Sequence, residues 1–323
     1  MIFTTFLLTI SFVYPIEREK GDKLDKIDMQ ILTNLLNNCR ESDRQIGMNV
    51  GISGGAIKSR INKMLKSGVI RFFTLKIEPP ALGYGVIYFV ITGEDIDKVL
   101  QQVKLIGKPF FVVPCVGGIT VCSIVIKENV QQKLDLAKNL MKNVRVLTIF
   151  EAESAGTSPN LTKTDLQIIN ELIKDPRQKI EGLAKKTSLS TKTVTRSLDK
   201  LQADETIQFT LVYEPTKIEG YIPYCILTWI DGNLKQILDV LKNEFSEHFL
   251  QKPFLAKNQI VLFMYSDNIY KLDQLTQQIK KISGIRSADL FIPRKIELPQ
   301  EWIKDAIAEA KKSPKLHLMY QVN

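Results

Sequence analysis

Apolar residues recur along this chain first at helical spacing and then in short, strand-length runs, and this succession occurs twice. In the helical part, apolar residues such as Ile27, Ile31 and Leu35, or Ile57, Ile61 and Met64, recur at intervals of three and four. The segment 24–70 returns as the segment 161–207, at a constant offset of 137 residues and without a gap. A repeat of this length indicates a duplicated domain, so the unit to interpret is about half of the chain.

Each copy of the repeat predicts three short helices. In the first copy, the apolar spacing indicates helices over residues 25–38 and 43–50, and Ser53 is a natural N-cap for a third helix that stops at Gly68. This order, with a glycine-containing turn before the third helix, is typical of a helix-turn-helix head. Such a head leaves the outer face of its third helix free for the major groove of DNA.

β-prone residues follow each predicted head. In the first copy, residues 69–75 lead to Pro79 and Pro80, which predicts a short wing strand and then a hinge. In the second copy, residues 209–211 repeat residues 73–75 one residue out of step. We therefore expect both heads to end in the same kind of hinge.

The third helix of the first copy has the most distinctive charge pattern. Between Ser53 and Arg71 there is no acidic residue, and the cations there are Lys58, Arg60, Lys63, Lys66 and Arg71. A basic face that touches only solvent is the ordinary alternative. Here the basic run lies on the one helix that such a head presents, so the pattern predicts contact with double-stranded DNA.

The third helix of the second copy is electrically balanced, because three cations between Ser190 and Ile207 are matched by three acids. Its early hydroxyl groups still suit phosphates or base edges, so we expect a weaker or differently specific reader. The candidate DNA-binding residues of the two heads are Ser53, Gly54, Lys58, Ser59, Arg60, Lys63 and Arg71, and Ser190, Thr191, Lys192, Thr193, Thr195, Arg196 and Lys200.

After each head the pattern becomes strand, helix, strand, strand, helix, strand. This is the order of a ferredoxin-like domain, whose helices cover one sheet face and leave the other in need of a partner. The predicted elements are 86–92, 94–106, 109–115, 119–127, 129–141 and 144–151, and then 222–231, 232–246, 249–256, 259–266, 267–282 and 286–293. We expect the two sheets to pack together within one chain as an intrachain pseudo-dimer. The competing arrangement pairs each sheet with its counterpart in another chain.

The composition is that of an ordinary globular protein, with 44% apolar and 24% charged residues among 323. The formal net charge of +9 favours a polyanionic partner. Four separated cysteines and two histidines predict free thiols in a reducing cytoplasm, with no metal site and no cofactor. The apolar residues 1–16 are shorter than the roughly 20 residues of a membrane helix, so we expect no membrane partner. We interpret them as a packing segment or the product of a misplaced start codon.

The repeat resembles the leucine-responsive and asparagine-operon regulators (Lrp/AsnC) of bacteria and archaea. The resemblance rests on the run LDKIDMQIL at 24–32, on Arg40, and on Gly51-Ile52-Ser53 through Arg60 to residues 68–70. It covers about residues 22–298, twice, which is a tandem form. It implies an α+β fold with two winged helix-turn-helix heads, each followed by a ferredoxin-like βαββαβ domain, and the function of a sequence-specific transcription regulator that binds double-stranded DNA.

In this family a small-molecule effector binds at the loop into the third strand of the ferredoxin-like domain. The resemblance therefore makes Gly117 and Gly118 the candidate effector-binding residues, although this loop lacks the family's aspartate. Further association of chains, through exposed edges or the closing helix, stays open. The expected domains are an apolar extension (1–21), head 1 (22–80), ferredoxin-like domain 1 (81–153), a linker (154–160), head 2 (161–216), ferredoxin-like domain 2 (217–298), and a closing helix and tail (299–323).

Two other functions fit the same architecture. Siroheme decarboxylases resemble it, but an enzyme that acts on a tetrapyrrole would need clustered His, Arg or Tyr side chains, and His248 and His317 are far apart in the sequence. We therefore predict no catalytic residues. An architectural protein that binds DNA without sequence preference is the second alternative, and a specificity ratio would distinguish it from a regulator.

Overall fold

Each half of the chain forms a three-helix head, a strand, and a four-stranded sheet with two helices. The computed structural model describes residues 23–92, 96–127, 129–140, 145–151, 161–256 and 258–312. The expected linker 154–160 and the apolar segment 1–16 lie outside these residues.

The helices and strands follow the predicted order. The first half contains α1 (Lys26–Asn37), α2 (Asp43–Val50), α3 (Gly54–Lys66), β1 (Ile70–Ile77), β2 (Gly85–Thr92), α4 (Ile96–Ile106), β3 (Lys108–Pro114), β4 (Ile119–Ile126), α5 (Val130–Leu140) and β5 (Arg145–Glu151). The second half contains α6 (Lys163–Leu172), α7 (Ile180–Thr187), α8 (Thr191–Ala203), β6 (Ile207–Tyr213), β7 (Ile222–Ile230), α9 (Leu234–Phe245), β8 (Phe249–Ala256), β9 (Gln259–Ser266), α10 (Ile269–Lys280), β10 (Ile285–Phe291) and the closing helix α11 (Glu301–Lys312).

Local chemistry explains where the head helices begin and end. Asp25 accepts from the backbone N–H of Asp28 at 2.8 Å, while Asp28 accepts from the backbone N–H of Asp25 at 3.1 Å, which forms a capping box. Thr162 and Asp165 form the same box at the start of α6. Gly51 adopts the left-handed conformation with φ 85°, which ends α2 and turns the chain towards α3.

Both sheets have the ferredoxin-like strand order, and all neighbouring strands are antiparallel. The first sheet runs β3-β4-β2-β5 and the second β10-β7-β9-β8. One face of the first sheet is covered by its helices, since Ile87 and Phe89 share a buried cluster with Val103 and Ile106. The equivalent face of the second sheet is covered by α9 and α10.

The remaining faces of the two sheets contact each other inside the chain. Val90 and Val113 of the first sheet share a buried cluster with Leu227 and Phe291 of the second. The segment that follows β10 also pairs with the β3 edge, through antiparallel bridges that join Val112 to Glu297 and Cys115 to Pro293.

The strand predicted after each head is present, and the two strands are partners. β1 and β6 pair with each other in a two-stranded antiparallel ribbon, with Thr74 opposite Thr210. Pairing satisfies backbone groups that each strand would otherwise expose along its edge. The residues expected to form a hinge make a short 3₁₀ turn, Pro79–Leu82, in which Pro79 and Leu82 are buried.

Each head packs on elements of the opposite half. The core of the first head includes Leu211 and Leu250, which belong to β6 and β8 of the second half. The core of the second head includes Leu75 and Phe110 of the first half, together with Trp302 of α11. The heads are therefore exchanged between the halves, which the sequence pattern did not predict.

Candidate nucleic-acid interface

The third helices of the two heads, α3 and α8, are both 13 residues long and begin in the same way. The Ser53 hydroxyl accepts from the Ala56 backbone N–H at 3.2 Å, and the Ser190 hydroxyl accepts from the Thr193 backbone N–H at 3.1 Å. These N-caps set both helices in the same register. Residues 137 positions apart therefore occupy the same place on the two helices.

Each third helix buries one apolar stripe against its head. In α3 the buried residues are Ile57, Ile61 and Met64, and in α8 the buried apolar residues are Val194, Leu198 and Leu201. Because an α-helix has 3.6 residues per turn, the side chains that point away from this stripe in α3 are those of residues 55, 59, 62 and 66. These four are all exposed, so they form the centre of the outward face.

Three of the residues predicted for the first head lie on or beside the outward face of α3. Lys58, Ser59 and Lys63 are exposed on α3, with the two lysines on either side of the outward centre. Ser53 and Gly54 instead position the helix. A Cβ atom on Gly54 would lie 3.3 Å from the backbone nitrogen of Arg44, so a small residue is needed where α3 meets α2.

Arg60, a further candidate DNA-binding residue, does not lie at the centre of the outward face. Its Nη1 atom is 2.8 Å from Asp25 Oδ2 and 2.8 Å from Asp28 Oδ1. The Asp28 side chain is only 6% exposed, and hydrogen bonds with Asp28 and Asp25 raise the pKa of Arg60. The guanidinium thus ties α3 to the first turn of α1. Its charge compensates a buried carboxylate.

Arg71 lies beyond α3 and contacts the second half of the chain. The residue is exposed, and its Nη1 atom donates to the Ile296 carbonyl at 2.9 Å. Its guanidinium also lies 5.7 Å from the centre of the Phe72 ring. Arg71 therefore stands at the edge of the candidate interface.

In the second head, most predicted residues are exposed on α8. Lys192 and Arg196 lie on its outward face, and within the described part of the chain neither makes a hydrogen bond or an ion pair. Thr191 is also exposed, while Thr195 is half-buried. The Thr193 hydroxyl lies 2.8 Å from that of Ser190, so the hydroxyls at this helix start form a pair.

Lys200 forms an ion pair with a buried aspartate of its own head, as Arg60 does in the first head. Lys200 Nζ lies 2.8 Å from Asp165 Oδ2, and the Ser197 hydroxyl donates to Asp165 Oδ1. Burial raises the pKa of Asp165, and hydrogen bonds from Lys200, Ser197 and Thr162 lower it. The lowering effects together are larger than the effect of burial, so the pKa lies below the usual value of 3.8. Ser197 stands where the first head has Arg60, which leaves the lysine to neutralise the aspartate.

The candidate effector residues Gly117 and Gly118 form the turn between β3 and β4, with φ angles of 80° and 71°. The residue before them, Val116, donates its backbone N–H to the Ile292 carbonyl at 2.8 Å. This loop is therefore joined to the second ferredoxin-like domain. An effector-binding role for the two glycines stays a prediction.

The sequence reasoning missed Asn62 and Asp199, which occupy equivalent outward positions on α3 and α8. Both are exposed and have no hydrogen-bond or ion-pair partner among the described residues. The signal was present, because each lies opposite the apolar stripe of its helix. Positive charge does not single them out, because neither residue is a cation.

The two heads are fixed to each other near the start of α2. Arg40 Nη1 donates to the Pro176 carbonyl at 2.7 Å, and Arg177 Nη2 lies 3.8 Å from Asp43 Oδ1. With the β1–β6 ribbon beneath them, these contacts hold the two third helices in one arrangement.

The four cysteines are free, and three of them are buried. Burial raises the pKa of the Cys39 thiol to about 12, so this thiol stays protonated near neutral pH. Within the described ranges, no helix combines the length and apolar composition needed to cross a membrane.

Fold and site together define a tandem winged helix-turn-helix protein built on two ferredoxin-like domains. The AsnC-type helix-turn-helix domain matches residues 24–65, and a winged helix-turn-helix DNA-binding domain matches residues 161–208. The AsnC-type match to the first head and the winged match to the second confirm the resemblance found in the sequence.

Several curated relatives share this similarity in part. The HTH-type transcriptional regulator Ptr1 of Methanocaldococcus jannaschii is 34% identical over 84 residues, which are 25% of this chain and 57% of the relative. The HTH-type transcriptional regulator FL11 of Pyrococcus horikoshii is 40% identical over 85 residues, which are 26% of this chain and 56% of the relative. The chain thus spans little more than half the length of these relatives.

Two solved structures align with the chain at low sequence identity. The siroheme decarboxylase NirDL superposes with a TM-score of 0.46 at 13% identity, covering 88% of this chain and 99% of that chain. An AsnC family transcriptional regulator from Agrobacterium tumefaciens superposes with a TM-score of 0.29 at 18% identity, covering 43% of this chain and 97% of that chain.

Proposed function

We propose that the protein is a sequence-specific transcription regulator that binds double-stranded DNA with both heads of one chain. The observation that carries this proposal is the pair of N-capped third helices, α3 and α8, whose outward faces are exposed while their apolar stripes are buried. A helix presented in this way fits the major groove, which is about 12 Å wide. The curated relatives named as transcriptional regulators support the same function.

Charge supports a nucleic-acid partner. Lys58 and Lys63 lie on either side of the outward face of α3, where they can reach the phosphates on both walls of the groove. On α8, Lys192 and Arg196 supply cations. Each neutralised phosphate releases counterions, so these contacts make binding steeply dependent on salt.

The exchanged heads and the paired sheets favour one chain as the complete DNA-binding unit. A pseudo-two-fold pair of heads fits two half-sites about one helical turn apart, or a multiple of that distance. Because the heads differ in sequence, the whole site is expected to be asymmetric. The likeness to siroheme decarboxylase is no argument for an enzymatic function of this chain.

A salt-series binding assay on genomic fragments tests the proposal. Fluorescence anisotropy would compare selected fragments with scrambled duplexes of equal length between about 50 and 200 mM salt. We expect a preference of at least roughly 10³-fold for a specific site. Equal affinity for all duplexes would contradict sequence-specific regulation and favour an architectural protein. Absence of binding at low salt would contradict a DNA-binding function altogether.

A charge-matched control distinguishes contact by α3 from a general effect of the net charge of +9. The double variant Lys58→Ala/Lys63→Ala should lower the slope of log affinity against log salt by about 0.9 for each phosphate that is no longer neutralised. Lys242→Ala/Lys280→Ala removes the same charge from exposed positions on α9 and α10, so its slope should not change. Equal effects of the two double variants would contradict contact by α3.

A further inference from the structure

The outward faces of the two third helices carry different chemistry at matched positions. In chain order, α3 presents Gly55, Ser59 and Asn62, and the equivalent residues of α8 are Lys192, Arg196 and Asp199. All six are exposed, and both helices start one residue after a capping serine. These are the side chains that would face base edges if each helix lies in a major groove.

We infer that Asn62 reads an adenine in one half-site and that Arg196 reads a guanine in the other. This inference rests on the proposed function, and it names the bases that each head selects. An asparagine pairs through two hydrogen bonds with N6 and N7 of adenine, and an arginine does the same with O6 and N7 of guanine. The two residues stand on the equivalent faces of two heads, so one chain would carry two different readers.

The contacts of the neighbouring residues explain why these two positions carry the base reading. Arg60, one position after Ser59, is held by Asp25 and Asp28, and its equivalent, Ser197, is held by Asp165. Arg196 and Asn62, in contrast, make no hydrogen bond or ion pair within the described residues. Their polar groups are therefore available to a base without breaking a contact inside the head.

Asp199 sharpens the difference between the heads. It is exposed beside Arg196 on the outward face, at the position that Asn62 occupies in the first head. A carboxylate can accept a hydrogen bond from N4 of cytosine, and it is repelled by phosphates, so it disfavours binding out of register. The second half-site should therefore be richer in G·C pairs than the first.

Selection of binding sites from a randomised duplex library, with the full chain, tests the inference. We expect the wild type to select two unlike half-sites. Asn62→Ala should remove the preference for one adenine in one half-site, and Arg196→Ala should remove the preference for one guanine in the other. At each affected position the discrimination should fall about 5- to 150-fold. Asn243→Ala, the same substitution at an exposed position of α9, serves as the matched control and should leave the adenine preference intact.

Transplanting the second reader into the first head provides a gain-of-function test. The triple variant Gly55→Lys/Ser59→Arg/Asn62→Asp gives α3 the outward residues of α8, and it should select two like, G·C-rich half-sites. Because all three positions are exposed, we expect the variant to fold. Circular dichroism would verify this before selection.

The outcomes separate the inference from the proposed function. Selection of a motif that is symmetric in the wild type, or that none of these variants changes, would overturn the inference and leave sequence-specific binding standing. Selection of no motif at all would overturn the proposed function and the inference with it.

Discussion

The guanidinium of Arg177 lies 4.6 Å from the centre of the Phe73 ring, so a cation of the second head packs on the strand that leaves the first. Arg40 makes the corresponding contact from the first head, 4.9 Å from the centre of the Phe209 ring. The two arginines occupy the same position of the repeat. Together they join the heads through the β1–β6 ribbon, which makes the spacing of the third helices a property of the fold.

The first prediction concerns this junction. Arg40 is half-buried and donates to the Pro176 carbonyl, so Arg40→Ala removes both a charged hydrogen bond and a cation–π contact. We expect a loss of about 1.5 to 3 kcal/mol in the free energy of unfolding, measured with urea. Arg44→Ala is the control, because Arg44 is exposed and has no ion-pair partner among the described residues. Equal stabilities of the two variants would show that the junction contributes nothing.

The second prediction separates two cations of α3. Arg60→Ala leaves the carboxylate of Asp28, a side chain only 6% exposed, without its cation. The variant should therefore lose about 1 to 3 kcal/mol of stability. Lys58→Ala should leave stability unchanged and weaken DNA binding, since Lys58 is exposed. Thermal unfolding and anisotropy on the same samples distinguish the two. The assignment fails if Arg60→Ala is as stable as the wild type.

The third prediction is a dependence of stability on pH through Asp165. Its pKa in the folded protein is lower than 3.8, because donors from Lys200 and Ser197 outweigh the effect of burial. A lowered carboxyl pKa stabilises the fold above about pH 4, and this contribution is lost as the pH falls through the lowered value. Urea unfolding of the wild type and of Asp165→Asn should therefore differ most above pH 5 and converge towards pH 3. A constant difference across this range would contradict the assignment.

The sequence predicted the local elements well, because they depend on local signals. The bounds of α2 were predicted without error from apolar spacing, and the Ser53 cap placed the start of α3. The ferredoxin-like order followed from the succession of strands and helices. Each of these features is set by residues within one turn or one strand of each other.

The features that the sequence did not predict depend on residues far apart in the chain. Pairing of β1 with β6 joins strands about 137 residues apart, and no pattern within either strand specifies its partner. The ion pairs of Arg60 were not predicted for a similar reason, since its partners Asp25 and Asp28 lie at the start of another helix. A count of charges along a helix shows how many cations there are, but not which of them are already neutralised.

The fourth prediction concerns the closing helix α11, which packs between the second head and the first sheet. Trp302 is 1% exposed, and its ring lies 5.7 Å from that of Tyr84 and 5.8 Å from that of Phe110. Trp302→Ala should cost about 3 to 5 kcal/mol, the usual range for removing a buried tryptophan. Lys304→Ala, on the exposed side of the same helix, should cost almost nothing. A small effect of Trp302→Ala on the urea midpoint would mean that α11 is not part of the core.

The last prediction concerns the contact between the two sheets. Leu227 is 6% exposed and shares a buried cluster with Val90 and Val113 of the opposite sheet. Leu227→Asp would place a carboxylate in this cluster, where it has no partner, and should strongly lower the urea midpoint. Val240→Asp makes the same substitution at a position that is 36% exposed, so its effect should be much smaller.

The mass of the variant distinguishes the intrachain contact from a dimer of chains. If the sheets pair within one chain, Leu227→Asp weakens the fold, and light scattering should give the same mass as for the wild type, measured where both remain folded. If the sheets paired between chains, the substitution would instead split a dimer into single chains of 36.7 kDa. A fall in mass would therefore favour a dimer of two chains, with four heads in all, because only in that dimer does the sheet contact hold two chains together.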